Sequence, residues 1–183
     1  MATWTIDPAH SEVTFKVKHL VISTVTGNFQ TFSGTVEALK EDFSDAKINF
    51  EADVNSITTH NEQRDGHLKT ADFFDSANHP KMTFVSKMVE KNSDGNLIVT
   101  GDLSIRGITK EVKLDATYNG TILGFGNQPT AGFEIKGKVN RKDFGMTFDA
   151  LTEAGGIIVS EEVRIEIGTE LKKEALVEIK QAA

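Results

Sequence analysis

Apolar and polar residues alternate along most of the chain with a period of two. In the first clear run, Val13, Phe15 and Val17 are separated by single polar residues. Similar runs begin near residues 32, 47, 81, 97, 111, 133 and 162. Successive side chains of a strand point to opposite faces, so this pattern predicts about eight half-buried strands.

Turn sequences separate several of these runs and predict antiparallel neighbours. Asn92-Ser93-Asp94-Gly95, Arg106-Gly107 and Asn119-Gly120 supply residues that tolerate the positive φ of tight hairpins. About eight long strands with one apolar face each must close as a barrel or stack as a sandwich. With one Trp and one Tyr, the chain lacks the aromatic girdles of an outer-membrane barrel, so the apolar face is predicted to point inward.

Residues 58–79 break the alternation and predict a short helical excursion over one end of the barrel. Thr58 or Thr59 is expected to cap a helix, with Glu62 as the capping-box partner, and Gly66 is expected to weaken or end it. The final residues, 170–183, fit a helical or a strand spacing equally well. Without a repeat or a linker, the chain is expected to be a single domain over residues 1–183.

Composition excludes several classes of function. The absence of Cys rules out disulfides, Cys-ligated zinc and a thiol nucleophile. A net charge of -7 argues against binding to nucleic acid or docking on an anionic membrane, unless a local basic patch overrides it. The first residues lack the features of a secretory signal, so we expect a cytoplasmic location, or a periplasmic one if a leader has been removed.

The polar residues form no recognisable catalytic or metal motif. His60 and His67 are seven residues apart, which matches no dense ligand spacing and favours exposed or hydrogen-bonded histidines. Arg64 and Asp65 are interpreted as a pair that fixes the excursion to the barrel, or as a contact for a ligand head group at the rim. We therefore predict no catalytic residue, no metal and no cofactor.

The predicted inner face is the most informative set of residues. It combines several of the 12 Phe residues with small positions at Gly34, Ala52 and Gly101. An eight-stranded barrel either fills its interior with side chains or leaves room for a small ligand. Interleaved large and small residues fit a tunnel and an ordinary packed core equally well.

Several blocks of sequence, in order, resemble the YceI-like family of lipocalin-like, polyisoprenoid-binding proteins. The blocks are Trp4-Thr5-Ile6-Asp7-Pro8-Ala9-His10-Ser11, Val13-x-Phe15-x-Val17-x-His19-Leu20, Gly27-x-Phe29-x-x-Phe32-x-Gly34, Asn61-Glu62-x-Arg64-Asp65-Gly66-His67-Leu68, Asp72-Phe73-Phe74-Asp75, Gly101-x-Leu103-x-Ile105-x-Gly107-Ile108-Thr109-Lys110 and Asn140-Arg141-x-Asp143-Phe144-Gly145-Met146. The resemblance extends from about Trp4 to Ile167. It implies an all-β fold, an extended antiparallel eight-stranded lipocalin-like barrel, whose apolar tunnel holds a long isoprenoid or similar lipid and which carries no catalytic residues.

The leading hypothesis is therefore a carrier, storage or sequestering protein for a polyisoprenoid or isoprenoid quinone. The residues expected to bind it are Val13, Phe15, Val17, His19, Phe29, Phe32, Ile48, Phe50, Val54, Arg64, His67, Phe84, Leu103, Ile105, Phe133 and Ile135. The alternatives are an enzyme acting on a bound lipid or quinone through His19, His67 or a metal, and an interaction module with a packed interior. Neither nucleic acid nor stable membrane insertion is expected; a homodimer, through an unpaired edge near Trp4 or through the tail, is left open.

Overall fold

The alternating segments form the strands of one antiparallel sheet. A computed structural model describes residues 1–20, 22–149 and 159–175. Its strands are β1 (Ala2–Ile6), β2 (Glu12–His19), β3 (Ser23–Phe29), β4 (Phe32–Ala38), β5 (Lys47–Asp53), β6 (Ile57–Thr58), β7 (Lys81–Lys91), β8 (Leu97–Ile105), β9 (Ile108–Leu123), β10 (Pro129–Asn140) and β11 (Val159–Lys173). One helix, α1 (Glu62–Leu68), interrupts them.

The sheet closes on itself as an eight-stranded barrel. Strands β1 and β2 are two parts of one bent strand, as are β3 with β4 and β5 with β6. Starting from β1, the order of neighbouring strands around the barrel is β4, β5, β7, β8, β9, β10 and β11. Strand β11 then pairs with both β1 and β2, which closes the barrel. Every pairing is antiparallel, which confirms the predicted fold class.

Short 3-10 turns bend two of the strands where capping residues interrupt the alternation. Asp7 caps the turn Pro8–His10, and Asp53 caps the turn Val54–Ser56 by accepting a hydrogen bond from the backbone N–H of Asn55. A carboxylate that binds the backbone two residues ahead competes with the strand ladder. On the far side of these bends, β1 pairs with β4 and β11 at one end of the barrel, and β6 pairs with β3 at the other.

The small inward positions serve packing between neighbouring side chains. A Cβ at Gly101 would collide with the ring of Phe84, and one at Gly34 would lie 2.7 Å from Cδ1 of Ile6. Large side chains therefore occupy the space that these glycines leave, as in ordinary core packing.

An aromatic cluster plugs the end of the barrel at the β4–β5 loop, which we call the closed end. Phe43 is 2% exposed, and its ring centroid lies 5.2 Å from that of Trp4, 5.4 Å from Tyr118 and 5.0 Å from Phe133. Tilted and edge-to-face rings at these separations attract each other beyond their apolar burial. The cluster forms a floor across the closed end.

The helical excursion covers the opposite end, although its details differ from the prediction. Only residues Glu62–Leu68 are helical, and the following residues form turns. The cap is Asn61, whose side chain accepts a hydrogen bond from the N–H of Arg64, so the expected caps Thr58 and Thr59 were wrong. Gly66 lies inside the helix and does not end it.

The N-terminal strand has partners on both sides, so it offers no free edge for a dimer. Trp4 pairs with Val36 of β4 and with Lys173 of β11. The start of the ambiguous tail is therefore strand, and its last part, 176–183, lies outside the described residues. Within the described part of the chain, no helix has the length and apolar character needed to cross a bilayer.

Candidate functional site

The barrel encloses a cavity of about 530 Å³ with an almost wholly apolar wall. The wall runs from Phe43 and Leu171 at the closed end to His19, Val159 and Phe148 at the other. Many inward side chains, such as Ile48 and Ile165, are only half-buried although they lie inside the barrel, because part of their surface faces this space. The packed interior considered from the sequence is therefore not what the barrel contains.

The cavity is long and narrow. Its wall follows β11 from Val159 to Leu171. At about 3.3 Å per residue this is about 40 Å of strand, or about 30 Å of height at the tilt typical of barrel strands. A volume of about 530 Å³ spread over that height suits one thin chain better than a compact metabolite.

Fourteen of the sixteen residues expected to bind a ligand lie in the cavity wall. They come from β2, β4, β5, α1, β7, β8 and β10, which the barrel brings around one axis. They are Val13, Phe15, Val17, His19, Phe32, Ile48, Phe50, Arg64, His67, Phe84, Leu103, Ile105, Phe133 and Ile135.

Two of the expected residues, Phe29 and Val54, lie outside the wall and need correction. Phe29 is 5% exposed and packs between Phe15 and Phe74, with ring centroids 5.9 Å from each. Val54 is 1% exposed, because the 3-10 turn that begins there takes it off the strand's inward row and its N–H donates to the carbonyl of Pro80. Phe29 therefore contacts wall residues without bordering the cavity itself.

At the end of the barrel opposite Phe43, the wall reaches the surface. We call this opening the mouth; His19, Val25, Arg64, His67 and Phe148 frame it. Arg64 and His67 are exposed and also line the cavity, so solvent and cavity meet here. A ligand whose tail lies in the barrel would therefore present its head group to these residues.

Arg64 and Asp65 both hold Thr59, the buried residue that follows β6. Arg64 donates from Nε to Thr59 Oγ1 (2.7 Å) and from Nη2 to its carbonyl (2.9 Å), while Asp65 Oδ1 accepts from the N–H and the hydroxyl of Thr59. Burial raises the pKa of Asp65, but hydrogen bonds from Thr59 and Thr58 outweigh it and leave the pKa below its ordinary value. These contacts fix α1 to the barrel and hold Arg64 at the mouth.

His67 contributes an aromatic contact and a hydrogen bond at the mouth. Its ring meets Phe73 and Phe148 edge-on, with centroids 5.1 and 5.0 Å away, and Nε2 lies 2.9 Å from Asp72 Oδ2. His60 is exposed elsewhere on the loop before α1, so the two histidines do not form a site together.

Arg141 is the least expected residue of the wall, since it is charged and only 3% exposed. Its guanidinium donates to the carbonyls of Met146 (2.6 Å), Ser160 (3.0 Å) and Val159 (3.2 Å) and to Asp149 Oδ1 (2.8 Å). Hydrogen bonds from Lys142 and Arg141 lower the pKa of Asp149, which keeps the partner charged. Arg141 thus joins the segment after β10 to the start of β11.

Sequence reasoning did not assign Phe43, Phe148 and Arg141 to the wall. Phe43 and Phe148 lie outside alternating runs, so no periodicity marked them as inward. For Arg141 the available signal was the Asn140–Met146 block, which contributed only to the family resemblance. The block forms a 3-10 turn that ends at Gly145 with φ 74°, and Arg141 donates to the carbonyl of Met146 directly after it.

Among the residues that the structure describes, one cluster of metal-binding residue types lies near the closed end, away from the cavity. Asp7, His10 and Glu170 place one ligand atom each within 4.8 Å of one another. The position beside the Asp7 carboxylate is taken by the ammonium of Lys172, 2.6 Å from Oδ2. An ion pair between Asp7 and Lys172 and a contact between Asp7 and His10 Nδ1 thus hold the bend between β1 and β2.

The cavity offers mainly apolar contact, with basic side chains such as His19, Arg64 and His67 at its mouth. Its wall contains no carboxylate among the residues that the structure describes, so it offers no carboxylate for general acid–base catalysis there. Burial of apolar surface is favourable and nondirectional, so such a wall selects a ligand by length and shape.

Comparison with known proteins gives one consistent result. The family model of the YceI-like domain matches residues 4–171. A UPF0312 protein of Staphylococcus aureus strain MSSA476 is 39% identical over 172 residues, which are 93% of this chain and 97% of that protein.

Solved structures share the barrel. The Campylobacter jejuni YceI protein is 31% identical with a TM-score of 0.74, covering 86% of this chain and 90% of that one. BcnA of Burkholderia cenocepacia has a TM-score of 0.77 at 23% identity, and the match covers 90% of this chain and 98% of BcnA. A polyisoprenoid binding domain from Saccharophagus degradans has a TM-score of 0.67 at 13% identity, and the match covers 93% of this chain and 98% of that domain. At these last two identities the likeness concerns the fold alone.

Proposed function

This chain belongs to the YceI-like family, and from that premise we propose that it carries, stores or sequesters a long apolar lipid of the polyisoprenoid or isoprenoid-quinone type. The observation that carries the proposal is the cavity of about 530 Å³ along the barrel axis, with its almost wholly apolar wall. The lipid's tail would lie between the mouth and Phe43, and its head group would lie beside Arg64 and His67.

Two findings outside the cavity support this proposal. The family's fold resembles that of binding proteins more than that of enzymes. A protein described as a polyisoprenoid binding domain has the same fold. Transfer of that ligand class to this chain is our proposal, based on the shape and apolar character of its own cavity.

The expected affinity follows from the number of tail carbons that the cavity buries. Each buried CH₂ contributes about 0.8 kcal/mol, so a tail with about 15 buried carbons offers about 12 kcal/mol. Association and ordering of the tail cost several kcal/mol of this gain. We therefore expect tight binding with loose selectivity for chain chemistry.

Mass spectrometry of an organic extract from untagged protein tests the proposal. A stoichiometric long-chain isoprenoid or quinone supports it. An empty protein that also refuses added polyprenyl lipid contradicts it and favours an interaction module.

A matched pair of variants on β5 tests the location. Ile48 lines the cavity, whereas the adjacent Asn49 is exposed on the outer face. Ile48→Glu places a carboxylate in the tunnel, where it must be desolvated by any apolar tail, so lipid retention should be lost. Asn49→Glu adds the same charge outside and should retain lipid at the wild-type level. Equal retention by two folded variants would contradict the location.

A further inference from the structure

The turn between β2 and β3 is unusually apolar for an exposed hairpin. Leu20, Val21 and Ile22 follow each other in the sequence, and of the two that the structure describes, Ile22 is 86% exposed and Leu20 37%. Tight turns ordinarily carry Gly, Asn or Asp, and consecutive exposed apolar residues are avoided unless they have a function.

The backbone at this turn makes the composition more unusual. Leu20 has φ 52°, in the left-handed region that L residues other than Asn and Asp adopt rarely. Ser23 Oγ donates to the carbonyl of His19 (3.1 Å) and closes the turn. A bulky apolar residue is therefore held outward in a conformation that Gly would adopt more easily.

The turn adjoins the mouth of the cavity. His19, the last residue of β2, lines the cavity, and Val25 of β3 lines it from the other side of the turn. Leu20 and Ile22 do not line it, and their exposed side chains lie on the turn that joins these two wall residues.

The ionisable side chains that border the cavity are of one type. The ionisable residues that line the cavity are Lys18, His19, Arg64, His67 and Arg141, all of basic type, in a chain whose net charge is -7. Acidic side chains also lie nearby: Asp72 contacts His67, Asp149 contacts Arg141 and Lys142, and Glu62 and Asp65 belong to α1 together with Arg64. An exposed apolar tip beside basic residues is the combination that binds the surface of an anionic bilayer.

We propose that the exposed side chains of Leu20 and Ile22 dock the mouth on the surface of an anionic lipid bilayer and enter its interfacial region. This inference rests on the proposed function, since a long lipid resides in a membrane and must cross the mouth to reach the barrel. Docking there lets the tail move from bilayer to cavity without crossing water.

Vesicle binding by two matched variants tests the proposal. Ile22→Ser removes the exposed apolar side chain at the mouth. Ile122→Ser makes the same change at the closed end, where Ile122 is 70% exposed on the β9–β10 hairpin. Since neither residue lines the cavity, both variants should bind a soluble apolar dye in the barrel as the wild type does.

The probe is co-sedimentation with vesicles of phosphatidylcholine alone and of phosphatidylcholine mixed with phosphatidylglycerol. We expect stronger binding to the anionic vesicles, weakened by salt, and about tenfold weaker binding for Ile22→Ser, since full burial of such a side chain corresponds to a tenfold change or more. Ile122→Ser should bind as the wild type does, and uptake of a fluorescent polyprenyl lipid from the vesicles should slow only in Ile22→Ser.

Three results would overturn the docking site: unchanged vesicle binding by Ile22→Ser, an equal loss in Ile122→Ser, or equal binding to neutral and anionic vesicles. A wild-type protein that binds dye and added lipid but ignores vesicles also overturns it, while leaving the proposed function intact. A wild-type protein that takes up neither dye nor lipid refutes the proposed function itself.

Discussion

Phe43 forms the floor of the cavity, and Phe43→Ala tests what that floor does. The ring is 2% exposed, contacts three aromatic rings and borders the cavity. Replacing a buried Phe by Ala costs about 3–5 kcal/mol of unfolding free energy. The face of the ring that borders the cavity has no neighbouring atoms, so the substitution loses no contacts there. We therefore expect a loss at the lower end of this range, about 3 kcal/mol. Phe43 has φ 58°, and Ala retains any backbone strain there, so the change isolates the side chain.

Trp4 provides the assay, since it is the only tryptophan and its ring centroid lies 5.2 Å from that of Phe43. Urea unfolding of delipidated protein, followed by tryptophan fluorescence, gives the free energy of unfolding. Delipidation is needed because a bound ligand stabilises the folded state by mass action. Phe43→Leu keeps most of the volume and should cost less than about 1.5 kcal/mol, which makes it the control.

The same variant has a functional consequence. Without the ring, the cavity extends towards the closed end, so the preferred lipid should become longer. Competition among polyprenyl lipids of increasing length measures this shift, and Phe43→Leu should leave the preference near that of the wild type. An unchanged length preference, or a loss of unfolding free energy below about 1 kcal/mol, would refute the view of Phe43 as a packed floor.

Three further predictions concern the polar supports of the barrel. Arg141→Gln leaves carbonyls at both ends of its segment with fewer donors, so urea unfolding should show a loss of about 3 kcal/mol; a loss below about 1 kcal/mol would mean that water replaces the guanidinium. Thr59→Val removes the hydroxyl that joins Arg64 to Asp65 and should cost about 1–2 kcal/mol, with faster amide exchange in α1; unchanged exchange there would show that the helix is held by other contacts. Hydrogen bonds from Lys172 and His10 lower the pKa of Asp7 from 3.8 to about 2. The ionised carboxylate therefore stabilises the folded state fully above pH 3.8, and this contribution is lost as the pH falls through about 2. Asp7→Asn should therefore unfold more easily at neutral pH, with a smaller difference at pH 2, and a pH-independent difference would argue against this ion pair.

The barrel could be predicted because the pattern that specifies each strand lies within a short stretch of sequence. A period of two fixes which side chains point inward, and the closed sheet turns that row into the wall of the cavity. Twelve wall residues on the strands were found in this way, among them Phe15, Ile48 and Ile135, whereas Arg64 and His67 lie on α1. Val54 was misplaced because a capping Asp and the following Asn55 and Ser56 bend the strand one residue earlier than the alternation suggests. The sequence contains this turn signal, but the prediction followed the alternating row of apolar residues through Val54.

The two ends of the cavity were harder to predict, because they are built from segments that lack periodicity. Phe43 acquires its role from rings on β1, β9 and β10, which are remote in sequence, and Arg141 from carbonyls on both sides of a long connection. Yet the ends set the properties that distinguish one lipid-binding barrel from another. Under the proposed function, the floor would limit the length of the tail, and the mouth would decide which head group is tolerated and which surface is approached. A wall of apolar side chains specifies only that something long and apolar enters, so the identity of the lipid depends on the residues that alternation cannot reveal.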